Sequence, residues 1–135
     1  MRIRKFMALV LTAALCLALA ACGFSDNCTF VSKVENTGAH EWTMEYDEFS
    51  GVKYWKFVVE PGTTLHLSIE MEHESGKLAM AVIDKDENEL LTLNQEESDM
   101  VASRYFIEGT YYVRLTAEKH VGATRVAFTQ AQPGD

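Results

Sequence analysis

The sequence predicts an all-β fold, an antiparallel two-sheet sandwich or jelly roll of about eight strands, preceded by a signal peptide and a flexible tether. Three observations carry that expectation. Between residues 64 and 72, Leu65, Leu67, Ile69 and Met71 alternate with Thr64, His66, Ser68, Glu70 and Glu72, the pattern of a strand with one dry and one wet face. Turn signals recur at short intervals, at Ser50-Gly51, Glu60-Pro61-Gly62-Thr63, His73-Glu74-Ser75-Gly76 and Glu108-Gly109. No segment of the body shows the i, i+3, i+4, i+7 recurrence of a strong helix.

The first stretch is a leader rather than part of the fold. Arg2, Arg4 and Lys5 form a cationic head, and sixteen residues from Phe6 to Ala21 form an apolar run, shorter than the roughly 20 a spanning helix needs. Leu19-Ala20-Ala21-Cys22 resembles a bacterial lipobox. The resemblance implies cleavage before Cys22, a thioether-linked diacylglycerol on its sulfur and acylation of the new amine. It makes Cys22 the lipidation site, the membrane a partner through the N-terminal lipid, and the extracytoplasmic face of the cell membrane the address. One acyl chain holds only marginally, whereas two or three anchor stably. The expected division is a signal peptide over 1–21, a lipidated tether over 22–40, a β-sandwich domain over 41–130 and a polar tail over 131–135. A flexible tether of that length spans on the order of 25 Å.

Within the tether, Phe30-Val31 leaves room for one short strand over residues 29–34. From Glu41, Trp42, Met44 and Tyr46 alternate with Thr43, Glu45 and Asp47. After Ser50-Gly51, residues 52–59 are rich in β-branched and aromatic side chains. Glu60-Pro61-Gly62-Thr63 reads as a type II turn, proline presetting φ and glycine accepting the positive value. His73 to Gly76 is expected to turn the chain, and residues 77–83 form a strand with Leu78, Met80 and Val82 inward. Residues 86–100 could form a helix on propensity, but Leu90, Leu91 and Leu93 lack helical spacing, so a strand over 89–93 and an acidic loop are expected. Strands over 101–107, 110–117 and 124–129 follow, with a loop over 118–123.

Charge narrows the partners. Three of the 12 basic residues and none of the 20 acidic ones precede Cys22, so the chain from there on carries nine against twenty, a net of −11. Such a chain repels phosphate, which makes nucleic acid an unsuitable partner, and it is not expected to lie flat on an anionic leaflet. Cys16 falls in the leader and Cys22 takes the lipid, so Cys28 has no intrachain partner.

Two stretches, Tyr54-Trp55-Lys56-Phe57-Val58-Val59-Glu60-Pro61-Gly62-Thr63-Thr64-Leu65 and Glu108-Gly109-Thr110-Tyr111-Tyr112-Val113-Arg114-Leu115, resemble the pre-peptidase C-terminal domains of secreted bacterial peptidases. Val82-Ile83-Asp84 lies where those domains carry a hairpin. The resemblance implies an accessory or binding role, with no catalytic residues to carry over.

Chemistry-bearing patterns are sparse. Residues 84–88, Asp-Lys-Asp-Glu-Asn, suggest a calcium loop, but the positions needing glycine and glutamate hold Glu89 and Gln95. His66 and Glu70 share a face but stand roughly 13 Å apart along a strand, too far for one zinc ion. His40, His73 and His120 fall in expected loops, with surface placement the default. There is no Gly-x-Ser-x-Gly elbow and no phosphate-binding glycine loop. No metal, cofactor or catalytic residue is assigned. Among the aromatics Trp42, Tyr46, Tyr54, Trp55, Tyr105, Tyr111 and Tyr112, alternation turns Tyr54 and Tyr112 outward, which makes them the candidate binding patch.

The expectation is therefore a non-catalytic binding or accessory module for an envelope protein or glycan. The alternatives are a structural envelope lipoprotein assembling through a sheet edge, and a calcium-dependent or enzymatic module. An exposed aromatic patch or groove favours the first, a long bare edge strand the second, and acids and histidines converging in a pocket the third.

Overall fold

The structure is a computed structural model that describes residues 24–131. The signal peptide, Leu19, Ala20, Ala21 and the lipidation site Cys22 lie outside the described residues, as do residues 132–135 of the tail. Seven antiparallel strands account for nearly all of the rest: β1 (Asn27–Thr29), β2 (Ser32–Thr37), β3 (Glu41–Val59), β4 (Thr64–Asp84), β5 (Glu89–Asn94), β6 (Ala102–Phe106) and β7 (Gly109–Ala131). Among the described residues no helix is long and apolar enough to cross a membrane.

Three of the strands, β3, β4 and β7, run on for about twenty residues, and each bends sharply near its middle. Trp42 and Trp55 both belong to β3 and would stand about 43 Å apart on a straight strand. Their rings are 5.5 Å apart. Phe57, in the second half of β3, lies 5.6 Å from Phe106 of β6. A single hydrogen-bonded sheet has thus folded over on itself into two facing layers. Layer one runs β2, the first half of β3, the second half of β7, the first half of β4, then β6. Layer two runs β1, the second half of β3, the first half of β7, the second half of β4, then β5. The core lies between them, with Met44, Leu67, Ile69, Leu78, Met80, Val113, Leu115 and Val126 all but sealed from solvent.

Two of the expected interruptions are these bends rather than chain reversals. His73–Gly76 does not turn the chain back, because β4 pairs with β7 on both sides of it. Residues 118–123, expected as a loop, are a bent stretch of β7. Ser50-Gly51 marks the matching irregularity in β3. Glycine makes the crossings possible. Gly76 has φ +82, and a β-carbon there would lie 2.1 Å from the Lys119 carbonyl oxygen. One on Gly122 would lie 2.0 Å from the Glu72 carbonyl oxygen.

The antiparallel all-β sandwich expected from the sequence is the observed fold. The turn at residues 60–63 forms as expected, with the Thr63 amide donating to the Glu60 carbonyl at 3.2 Å and Gly62 at φ +82. Residues 86–100 hold β5, a short 3₁₀ turn at Gln95–Glu97 capped by Asn94, and a loop, not a long helix. The sheet begins earlier than the expected boundary at residue 41. Both β1 and β2 lie within the stretch expected as flexible tether, where their edge pairing with β3 supplies backbone partners that local sequence does not advertise.

Candidate functional site

The two outer faces of the sandwich carry different chemistry. On layer two, Tyr54 and Tyr112 do turn outward together, with ring centroids 6.5 Å apart. They do not form an open patch. Phe24 lies over them, stacked on Tyr54 at 4.9 Å and edge-on to Tyr112 at 4.8 Å. With Ala81 and Ile83 beneath, Tyr112 is only 7% exposed. Asp26 holds the covering segment down. Its carboxylate accepts from the Tyr54 amide at 2.7 Å, where β1 has ended and no strand partner remains, and from Lys53 Nζ at 3.2 Å. Lys53 is buried, yet its ammonium is held above the ordinary lysine range. Burial acts to lower it, and the hydrogen bond to Asp26 together with the charges of Asp26 and Glu35 outweighs that.

Glu35 ties the two layers at this edge. Although β2 belongs to layer one, the Glu35 carboxylate accepts from the indole of Trp55 at 3.1 Å and pairs with Lys53 at 3.4 Å, both on layer two. Burial acts to raise its pKa, but the hydrogen bonds from Trp55 and Lys33 and the nearby lysine charges lower it overall.

The outer face of layer one is open. Register fixes it as a lattice of side chains: Val34, Glu45, Ala123 and Glu72 in one row, and Asn36, Thr43, Arg125 and Glu70 in the next. The small Ala123 on the central strand, between longer side chains on β3 and β4, leaves a groove of about 560 Å³, walled on the far side by Ser98. Glu45 and Glu72 both stand opposite Ala123, so their β-carbons are about 10 Å apart. Arg125 is braced by Glu70 at 2.8 Å and by Glu41 at 2.7 Å, and these hydrogen bonds hold its guanidinium above its usual range. No ion pair engages Glu45 or Glu72 among the described residues. The groove therefore presents two free carboxylates, an oriented guanidinium, an amide and hydroxyls, a set suited to hydrogen bonding with a polyhydroxylated ligand. Its lining includes no histidine.

The remaining candidates resolve simply. Asp84 spends its carboxylate on its own turn, accepting from the amides of Asp86 and Asn88 and from the Asn88 side chain. Among the described residues no three His, Cys, Asp or Glu side chains are gathered to hold a metal ion. His66 packs against Tyr105, ring centroids 4.7 Å apart and planes tilted by 50°. Cys28 is a free, half-buried thiol, its pKa raised chiefly by burial. His120 corrects the surface expectation. It is fully buried at the bend, its Nδ1 2.6 Å from the Tyr46 hydroxyl and its Nε2 3.1 Å from His73 Nδ1. Burial, with the charge of His73, pushes its pKa down to about 4, and burial raises that of Tyr46. This is a hydrogen-bonded chain linking β3, β4 and β7 where all three bend. A sequence reading missed it because the two histidines are 47 residues apart and each sits beside a glycine that mimics a loop signal.

No family model matches the chain, and no curated protein matches it. Solved structures with a similar course include a carbohydrate-binding module, CBM4, at 6% identity, covering 79% of each chain with a TM-score of 0.42. Another is TmCBM61 in complex with β-1,4-galactotriose, at 13% identity, covering 82% of this chain and 90% of that one with a TM-score of 0.34. A third is accessory secretory protein 1, 2 and 3 of Streptococcus pneumoniae, at 12% identity, covering 77% of this chain and 95% of that one with a TM-score of 0.32. At these identities and TM-scores none of them bears on function.

Proposed function

We propose that the protein is a membrane-anchored extracytoplasmic lipoprotein acting as a non-catalytic binding module for an envelope glycan. The single observation that carries the ligand-binding part is the groove on layer one. It is open, it is floored by a small residue, and it is lined by hydrogen-bonding side chains in fixed register. Carboxylates and a braced guanidinium pair well with vicinal hydroxyls, and each such hydrogen bond to a charged group is worth about 1.5–3 kcal/mol before desolvation is counted. The lipobox-like Leu19-Ala20-Ala21-Cys22 supports the anchor.

Assembly through a sheet edge draws less support. The edge strands β1, β2, β5 and β6 are three to six residues long, short enough to offer little template for pairing.

Titration calorimetry of the domain from residue 24 against solubilised envelope polysaccharides tests the ligand. Glu72→Ala and Arg125→Ala are expected to weaken binding at least about tenfold, the loss of one charged hydrogen bond each. Equal binding by both variants, or none by the wild type, would remove the groove from consideration. For the anchor, Cys22→Ser is expected to abolish labelling by a fatty-acid probe, and persistent labelling would place the lipid elsewhere.

A further inference from the structure

We infer that the outer face of layer two is the bilayer-facing side of the domain, so that the groove on layer one opens away from the membrane. The inference rests on the proposed lipidation of Cys22 and adds an orientation to it.

Covalent reach is the first argument. Cys22 precedes Phe24 by two peptide units, so their α-carbons are at most about 7.6 Å apart. Phe24 is docked, and it is docked centrally: it contacts Tyr112 on β7, the middle strand of the layer, as well as Tyr54 on β3. The chain therefore enters the domain over a face, not over an edge. The long tether expected from the sequence shrinks to two residues, and a lipid on Cys22 must enter the bilayer beside this face. Facing layers of a sandwich lie about 10 Å apart, before either outer set of side chains is added, so two residues cannot carry the anchor around to layer one.

The second argument is charge, and it is independent of the first. Among the described residues, the outer face of layer one bears Glu41, Glu45, Asp47, Glu70 and Glu72 against Arg125. That of layer two bears Lys56, Lys77 and Arg114 against Glu118 and Glu89, the last paired with Arg114, with Asp26 and Glu87 near Tyr54 at its rim. The outer face of layer one is thus the more negative of the two, and an anionic leaflet repels it more strongly. The face left toward the lipid carries an aromatic trio at its centre and an exposed Val58, the composition of a membrane–water interface. On this reading, layer one is the side that avoids an anionic surface.

The test uses the full lipidated protein, in a Cys28→Ser background, in vesicles of phosphatidylethanolamine and phosphatidylglycerol. A fluorophore is placed at Lys56→Cys on layer two or at Thr129→Cys on layer one, and headgroup spin-labelled lipid is the quencher. The Lys56→Cys probe is expected to be quenched several-fold more than the Thr129→Cys probe. Adding Phe24→Ala should bring the two values together, since the domain then swings on a longer free segment. Vesicle-bound protein with equal quenching at both sites, or stronger quenching at position 129, would overturn the orientation while leaving the anchor in place. Protein that fails to float with the vesicles would overturn the anchor and the orientation together.

Discussion

The two outer faces are built from the same three strands, yet Phe24 covers one and, among the described residues, nothing covers the other. On layer two, Phe24 caps Tyr54 and Tyr112, and Asp26 satisfies the backbone and ammonium groups around them. On layer one, Glu45 and Glu72 stand on either side of Ala123 with nothing between them. Aromatic rings in an outward register invite a binding interpretation, but here Phe24 packs over them. Carboxylates that read as a solubilising surface line the open groove. Substitutions on layer two should therefore cost stability, and substitutions on layer one should cost only binding.

The bends join the faces, so disrupting one disrupts both. Gly76→Val forces a side chain into a positive-φ position already touching the Lys119 carbonyl, where the neighbouring atoms are backbone and have no room to yield. A loss above about 3 kcal/mol is expected. Chemical denaturation checks it, and a value under 1 kcal/mol would mean that the bend is not structurally required.

Buried His120 at the same bend should make stability depend on pH. His120 is held neutral in the fold with a pKa of about 4, against about 6.5 unfolded. The unfolded chain therefore binds the extra proton first. Stability falls as pH drops from about 6.5 and levels off below about 4, for a total of about 3 kcal/mol. Glu35 works in the same direction but only as pH falls into the carboxylate range, so the upper part of the window isolates His120. His120→Gln should flatten the profile between about pH 6.5 and 5 relative to wild type. An unchanged slope there would assign the effect to the carboxylates.

Phe24→Ala tests the covered face directly. Removing a half-buried ring from two aromatic contacts should cost about 1–2 kcal/mol, raise the accessibility of Tyr112 and leave groove binding unchanged. A loss of groove binding would show the faces to be coupled through the core.

The individual strand halves were legible because alternation is local. Leu65 to Met71 and Tyr111 to Leu115 bury the residues that the period assigns. Four features were not. Glycine at Gly51, Gly76 and Gly122 signals a break in extended backbone, and sequence does not distinguish a reversal from a bend that keeps the same strand neighbour. The pairing of β1 and β2 depends on register with β3, which composition does not encode. The outward direction of Tyr54 and Tyr112 was readable, but their cover was not, because Phe24 reaches Tyr112 across 88 residues of chain. The groove was hidden for the same reason. Its lattice draws Asn36, Thr43, Arg125 and Glu70 from four strands, and alternation within any one strand does not show which strands lie side by side.

The smallest effect on stability is the most informative about function. Glu45→Gln and Glu72→Gln keep the size of the side chains on an open face and remove charges that no partner engages. Each should shift stability by no more than about 0.5 kcal/mol. The double variant should be slightly stabilised if anything, because two like charges leave a face already crowded with carboxylates. Binding should respond quite differently, since a carboxylate accepts from two hydroxyls where an amide offers one acceptor oxygen and a misplaced donor. If the double variant unfolds more easily by more than 1 kcal/mol, Glu45 and Glu72 belong to the scaffold. The contrast between a face that holds the fold and a face kept free for a ligand would then fail.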